Sequence, residues 1–179
     1  MRVIHFLLTF ILAAGVLCAQ RPDGVPASLG PGVVFPGNAA QGKIIFEGKG
    51  GCRDCHRVAG EGSRLGPNLT ELGNRSGDTS EALEKSILEP DAEIQPQNRF
   101  YRIVTADGAA ITGRLLNHDT FSVQLIDAKE QLRTFQKSNL REYGFVKSSP
   151  MPSYRGKLTA GEIADLVAYL SSLKGITKQ

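Results

Sequence analysis

The sequence predicts a mostly α fold that carries a β-rich insert, and three patterns predict it. Apolar residues recur at helical spacing around 38–48, 79–88 and 159–173. From 99 to about 146 the spacing changes to strict alternation, the period of a half-buried strand. Between the first two helical segments runs a stretch dense in turn residues, with CRDCH at 52–56. The resulting order is helix, CRDCH, loop, helix, strands, a Met-containing turn and a last helix, with no internal repeat.

Taken in order, the chain opens with Arg2 and an apolar run, Val3 to Leu17, broken only by His5 and Thr9, followed by small residues at Cys18 and Ala19. That layout predicts a secretory signal peptide over 1–19, cut after Ala19. The run falls short of the roughly 20 apolar residues that span a bilayer, so no membrane span is expected after cleavage. A lipoprotein signal fits less well, because Leu17 precedes Cys18 where a small residue is wanted. Residues 20–37 hold four Pro and four Gly and read as a flexible leader.

The domain proper is expected over 38–179. Asn38 is placed to cap a helix with Ile45 and Phe46 on its apolar side. Gly42 within it costs about 1 kcal/mol of helix propensity relative to Ala, which hints at a close helix approach. Thr79 or Ser80 caps a helix through Leu88, ended by Pro90. In the insert, 99–146, Asp107-Gly108 marks a hairpin, and FYRIVT, AAITGRLL, TFSVQLID, EQLRTFQ and LREYGFV alternate as strands of a small sheet or barrel. Its expected core is Ile103, Ile111, Leu115, Phe121, Val123, Leu125, Leu132 and Phe135. Thr159 and Glu162 form a capping box before the stripe Ile163, Leu166, Val167, Leu170 and Leu173.

Composition excludes more than it assigns. Hydrophobic content is 41% and charged content 22%, ordinary for a globular protein, and the formal net charge is only +3. No basic run or basic–aromatic interleaving offers a nucleic-acid footprint, so nucleic acid is not an expected partner. With Cys18 assigned to the signal, the remaining cysteines are Cys52 and Cys55.

C-x-x-C-H is the signal for covalent attachment of a c-type haem. Two thiols two residues apart reach the two vinyl groups on one porphyrin edge, and the adjacent His56 is then aimed at the iron as proximal ligand. A neutral imidazole ligates, so its other nitrogen needs an acceptor to fix the tautomer. A thioredoxin-like dithiol shares C-x-x-C but expects a preceding βαβ pattern, and a zinc site needs a second Cys/His pair where only His118 remains. For the sixth ligand, Met151 stands between Pro150 and Pro152 just before the last helix; a Met filling an apolar gap is the competing reading. His118, in an NHD turn, is the outside alternative.

These residues resemble class I cytochromes c: G-x-x-x-F at Gly42 and Phe46, CRDCH, GPNL at 66–69, a Met turn and a C-terminal helix. The resemblance implies a cytochrome c-like helical haem domain in which the first and last helices cross, bringing Gly42 and Phe46 to Leu166 and Tyr169. It further implies that Pro67 offers its carbonyl to His56 and that Arg75 reaches a haem propionate, although a solvated loop charge explains Arg75 nearly as well. The insert places Met151 95 residues after His56. That spacing, with NLT (68–70), VTADGAAITG (104–113), MP (151–152) and EIADLVAYL (162–170), looks like a bacterial branch of haem-binding domains with a β-rich insert before the Met ligand. Members are often fused to dehydrogenase-like modules.

The expected function is that of an exported, periplasmic electron carrier rather than an enzyme, holding one covalent haem c and serving a redox partner such as a dehydrogenase or oxidase. A haem-containing docking subunit of an oxidoreductase is the alternative. A gas or redox sensor is disfavoured because no distal His–Arg pair is evident.

Overall fold

The computed structural model describes residues 36–175. The expected signal segment, Cys18, and the leader up to residue 35 lie outside the described residues. Helix α1 (Ala39–Glu47) starts where the Asn38 side-chain carbonyl accepts from the backbone N–H groups of Ala40 and Gln41. Helix α2 (Ser80–Leu88) is capped by the Thr79 hydroxyl. Helix α3 (Ala160–Ser171) begins with the full Thr159–Glu162 capping box.

Helices α1 and α3 cross at closest approach through glycine. A Cβ on Gly42 would lie 2.0 Å from the Asp165 carbonyl oxygen and 2.8 Å from Tyr169 Cβ. Beside this contact the Phe46 and Tyr169 rings sit 5.4 Å apart, tilted by 58°. Phe46, Leu69, Leu72, Leu83, Ile87, Tyr154, Ile163, Leu166, Val167, Tyr169 and Leu170 form one buried cluster joining all three helices.

Strands β1 (Arg57–Val58) and β2 (Glu61–Gly62) make a two-stranded hairpin. Strands β3 (Phe100–Thr105), β4 (Ala110–His118), β5 (Ser122–Asp127), β6 (Leu132–Gln136) and β7 (Leu140–Phe145) form an antiparallel sheet ordered β6-β5-β4-β3-β7. Tyr101, Ile103, Val123 and Leu125 are its buried centre, with Ile111, Leu115, Phe135 and Leu140 packed around them.

The mostly α expectation is overturned. Helix stands at 30% and strand at 28%, so a β-rich part accompanies the helical part and the chain is not mostly α. The helices fall where the caps predict, but they are short, and the strands match them in extent. Two residues expected in the sheet core are also outside it. Leu132 is 64% exposed, because it lies three places from Phe135 and an odd spacing puts two side chains on opposite faces of a strand. Phe121 is 74% exposed, because it precedes β5 in a turn held by the Asp119 carboxylate, which accepts from the N–H groups of Phe121 and Ser122.

The chain leaves the helical part at the end of α2 and returns to the same place. Tyr154 N–H donates to the Ile87 carbonyl at 3.1 Å, and the Ser153 hydroxyl to the Leu88 carbonyl at 2.6 Å. Arg155 pairs with Glu89 at 2.8 Å, and Ser149 N–H bonds Asp91. These contacts close the base of the strand-bearing segment and return Met151 to the helical cluster.

Candidate functional site

After α1, the glycines 48, 50 and 51 turn the chain, with Gly51 left-handed at φ +59°, into a single 3₁₀ turn over Cys52–Asp54. That turn brings Cys52, Cys55 and His56 within five residues, and the His56 N–H closes it on the Cys52 carbonyl at 2.8 Å. The following loop folds back beneath His56. Gly66 N–H bonds the Cys55 carbonyl at 2.6 Å, and Leu69 N–H bonds the Arg57 carbonyl at 2.8 Å. Gly62, at φ +102°, leaves no room for a side chain, since a Cβ would meet the His56 carbonyl oxygen at 2.2 Å.

His56 Nδ1 lies 3.0 Å from the Pro67 carbonyl oxygen. A carbonyl only accepts, so Nδ1 carries the proton and Nε2 keeps its lone pair. Burial lowers the His56 pKa, and the Pro67 carbonyl works the other way. The net result is a neutral, oriented imidazole whose Nε2 keeps its lone pair, the state a metal ligand requires. Gly66 lets the loop approach, since a Cβ there would already stand 3.0 Å from the His56 ring.

Cys52 and Cys55 are free thiols, the first half-buried and the second exposed. Burial pushes both thiol pKa values up, and the Asp54 carboxylate adds to the rise. An active dithiol needs the opposite, a depressed pKa that supplies thiolate. The pair therefore lacks the activation that disulfide exchange uses.

Met151 is partly buried against the helical cluster, as is Cys52. Its N–H is held by the Ser149 hydroxyl at 3.1 Å. Tyr154, three residues on, was not singled out by the sequence reading. It is buried and donates its hydroxyl to the Gly50 carbonyl, so it ties the Met turn to the approach to CRDCH. Its only sequence signal is an aromatic in an otherwise polar turn. Burial first, then the neighbouring thiols, raises its phenol pKa to about 12.

Arg75 is exposed and donates to the Asn68 carbonyl at 2.8 Å, on the GPNL segment. His118 is exposed at the end of β4, stacked 5.9 Å from Tyr101 and edge-on to Phe145. It belongs to the sheet's aromatic group. The cations clustered around CRDCH in sequence are largely paired: Lys49 with Glu162, Arg53 with Glu47 and Glu61, and Arg64 with Glu130.

Residues 39–117 match the family model for cytochrome c. The matched span holds α1, CRDCH, the Pro67 loop, α2, β3 and most of β4, and ends ahead of Met151 and α3. A cytochrome c match suggests an electron-transfer haem protein, with covalently bound haem c and a redox partner in general. No curated protein matches the chain significantly. Among the described residues no helix is long and apolar enough to cross a membrane.

Proposed function

We propose that the chain is an exported, periplasmic mono-haem electron carrier of the bacterial haem-binding branch with a strand-rich segment ahead of its methionine. Cys52 and Cys55 would hold the haem covalently, His56 and Met151 would be its axial ligands, and Arg75 would meet a propionate. The observation that carries the reading is the His56–Pro67 hydrogen bond beside two free, non-activated thiols. This donor set fits the group: paired thiols for the vinyl edge, a tautomer-locked imidazole, and a thioether returned to the same apolar cluster that Cys52 touches. The haem, when bound, supplies a reversible one-electron couple. The protein's part is to hold Nε2 and the Met151 thioether in place and keep water from the apolar side of the site.

The absorption spectrum of purified protein tests the assignment. The ferric form is expected to show the weak long-wavelength methionine–iron band, and Met151→Leu is expected to lose it and turn high-spin. Absence of the band in the unaltered protein rules out Met151 as ligand. Rapid CO binding by the reduced protein would replace the carrier reading with a sensor or an enzyme. The exposed Phe121, Leu132 and Phe145 favour a second reading, in which the sheet docks the protein on its redox partner, a dehydrogenase or oxidase. Deleting 99–146 without loss of electron-transfer rate or partner affinity excludes that role.

A further inference from the structure

Where the sheet meets the loop beneath His56, a cleft of about 270 Å³ is lined by Arg57 from β1, Arg114 from β4, and Ser63, Arg64, Gly66 and Asn68 from the loop. Two features distinguish it from a surface groove. The Nε atoms of Arg57 and Arg114 are both sealed from solvent and have no hydrogen-bond partner among the described residues. None of the ion pairs among those residues uses either guanidinium. Glu130 is already engaged by the Arg64 backbone N–H and guanidinium.

Both side chains are only part-buried, so their remaining N–H groups face the cleft. Two guanidiniums that no ion pair among the described residues uses give it a positive lining suited to an anion. Arg114 is held firmly for the task, since its Nη1 donates to the carbonyls of Arg64 and Gly66 at 3.1 Å each, which fixes the plane of the fork. Planar guanidiniums suit oxyanions, which accept two parallel N–H bonds. At ~30 Å³ per water, the volume takes a tetrahedral oxyanion with a few waters.

We propose that the cleft between Arg57 and Arg114 binds a small free oxyanion of the phosphate class, bridging the sheet to the loop that carries Pro67. The site is independent of how the iron is ligated.

Calorimetric titration of inorganic phosphate into the haem-loaded protein at low ionic strength tests this, with chloride as the comparison anion. Saturable binding of one phosphate per chain is expected, with a rise in melting temperature as the site fills. Arg57→Gln and Arg114→Gln should each weaken it at least tenfold. Arg102→Gln, whose guanidinium pairs with Glu142 across the sheet, should bind as the unaltered protein does. Arg57 makes no side-chain hydrogen bond among the described residues, so its variant separates anion binding from folding. Phosphate binding of equal strength in Arg57→Gln overturns the proposal. So does the absence of saturable binding in the haem-loaded protein, the result expected where a haem propionate already fills the cleft.

Discussion

The helical part and the sheet bury their apolar residues in opposite ways. The helical cluster gathers residues from Phe46 through Leu170, so chain on both sides of the sheet contributes to it. The sheet cluster is drawn from Tyr101 to Leu140 alone, a contiguous run. A contiguous unit can sit inside a non-local one without cutting its core, provided its two ends lie close. They do, because Ile87, Leu88 and Glu89 bond directly to Tyr154, Ser153 and Arg155. This is how Met151 comes back to the cluster that Cys52 touches although a whole sheet intervenes.

The largest expected effect breaks the non-local half at its tightest point. Gly42 in an isolated helix would gain from replacement by Leu, because Leu has the better propensity by somewhat under ~1 kcal/mol. At the α1–α3 crossing the sign reverses, since any Cβ collides with the Asp165 carbonyl. Gly42→Leu should cost about 3 kcal/mol or more. Thermal unfolding followed by circular dichroism measures it, and a raised midpoint would refute the crossing as described.

The second effect should be confined to the other half. Leu125 is fully buried in the small sheet cluster, so Leu125→Ala should cost about 2 kcal/mol there through lost burial and the cavity left behind. Because that cluster shares no residue with the helical one, the His56 environment should be spared at temperatures where the sheet has begun to loosen. Hydrogen exchange resolved by segment reads this directly, with β3–β5 exchanging faster and α1 and α3 unchanged. Equal acceleration in both halves would mean that they unfold as one unit.

The same contrast explains what the sequence disclosed. Asn38, Thr79 and the Thr159–Glu162 box are local signals, satisfied within one turn, and each caps the helix it precedes. CRDCH is local too, as is the Asp107-Gly108 turn, with Gly108 at φ +91°. Alternation located the strands but not the balance of helix to sheet. It misassigned Leu132 through strand parity and Phe121 by treating a turn residue as strand. Tyr154 on Gly50 and Arg114 on Gly66 span 104 and 48 residues, and no local pattern announces partners that distant.

The smallest effect sharpens the comparison at the seam where the sheet-bearing segment rejoins the helical part. Tyr154 is held at a pKa of about 12 against an ordinary value near ~10. Burial is the leading cause, and it persists when the Cys52 sulfur is a thioether and no longer a titrating neighbour. An unfolded chain surrenders the phenol proton first, so Tyr154 contributes stability that is complete below pH ~10 and is lost as pH rises toward 12. Tyr154→Phe has no such proton and also forfeits the bond to the Gly50 carbonyl. The unaltered protein should therefore be the more stable at pH 9, by an amount that shrinks steadily up to pH 12. Tyr101→Phe, in the sheet core, provides the matched comparison away from the cysteines. A Tyr154→Phe difference that stays constant with pH would show that the phenol titrates alike in folded and unfolded chains, and that its hydroxyl is only a packing contact between the Met151 turn and CRDCH.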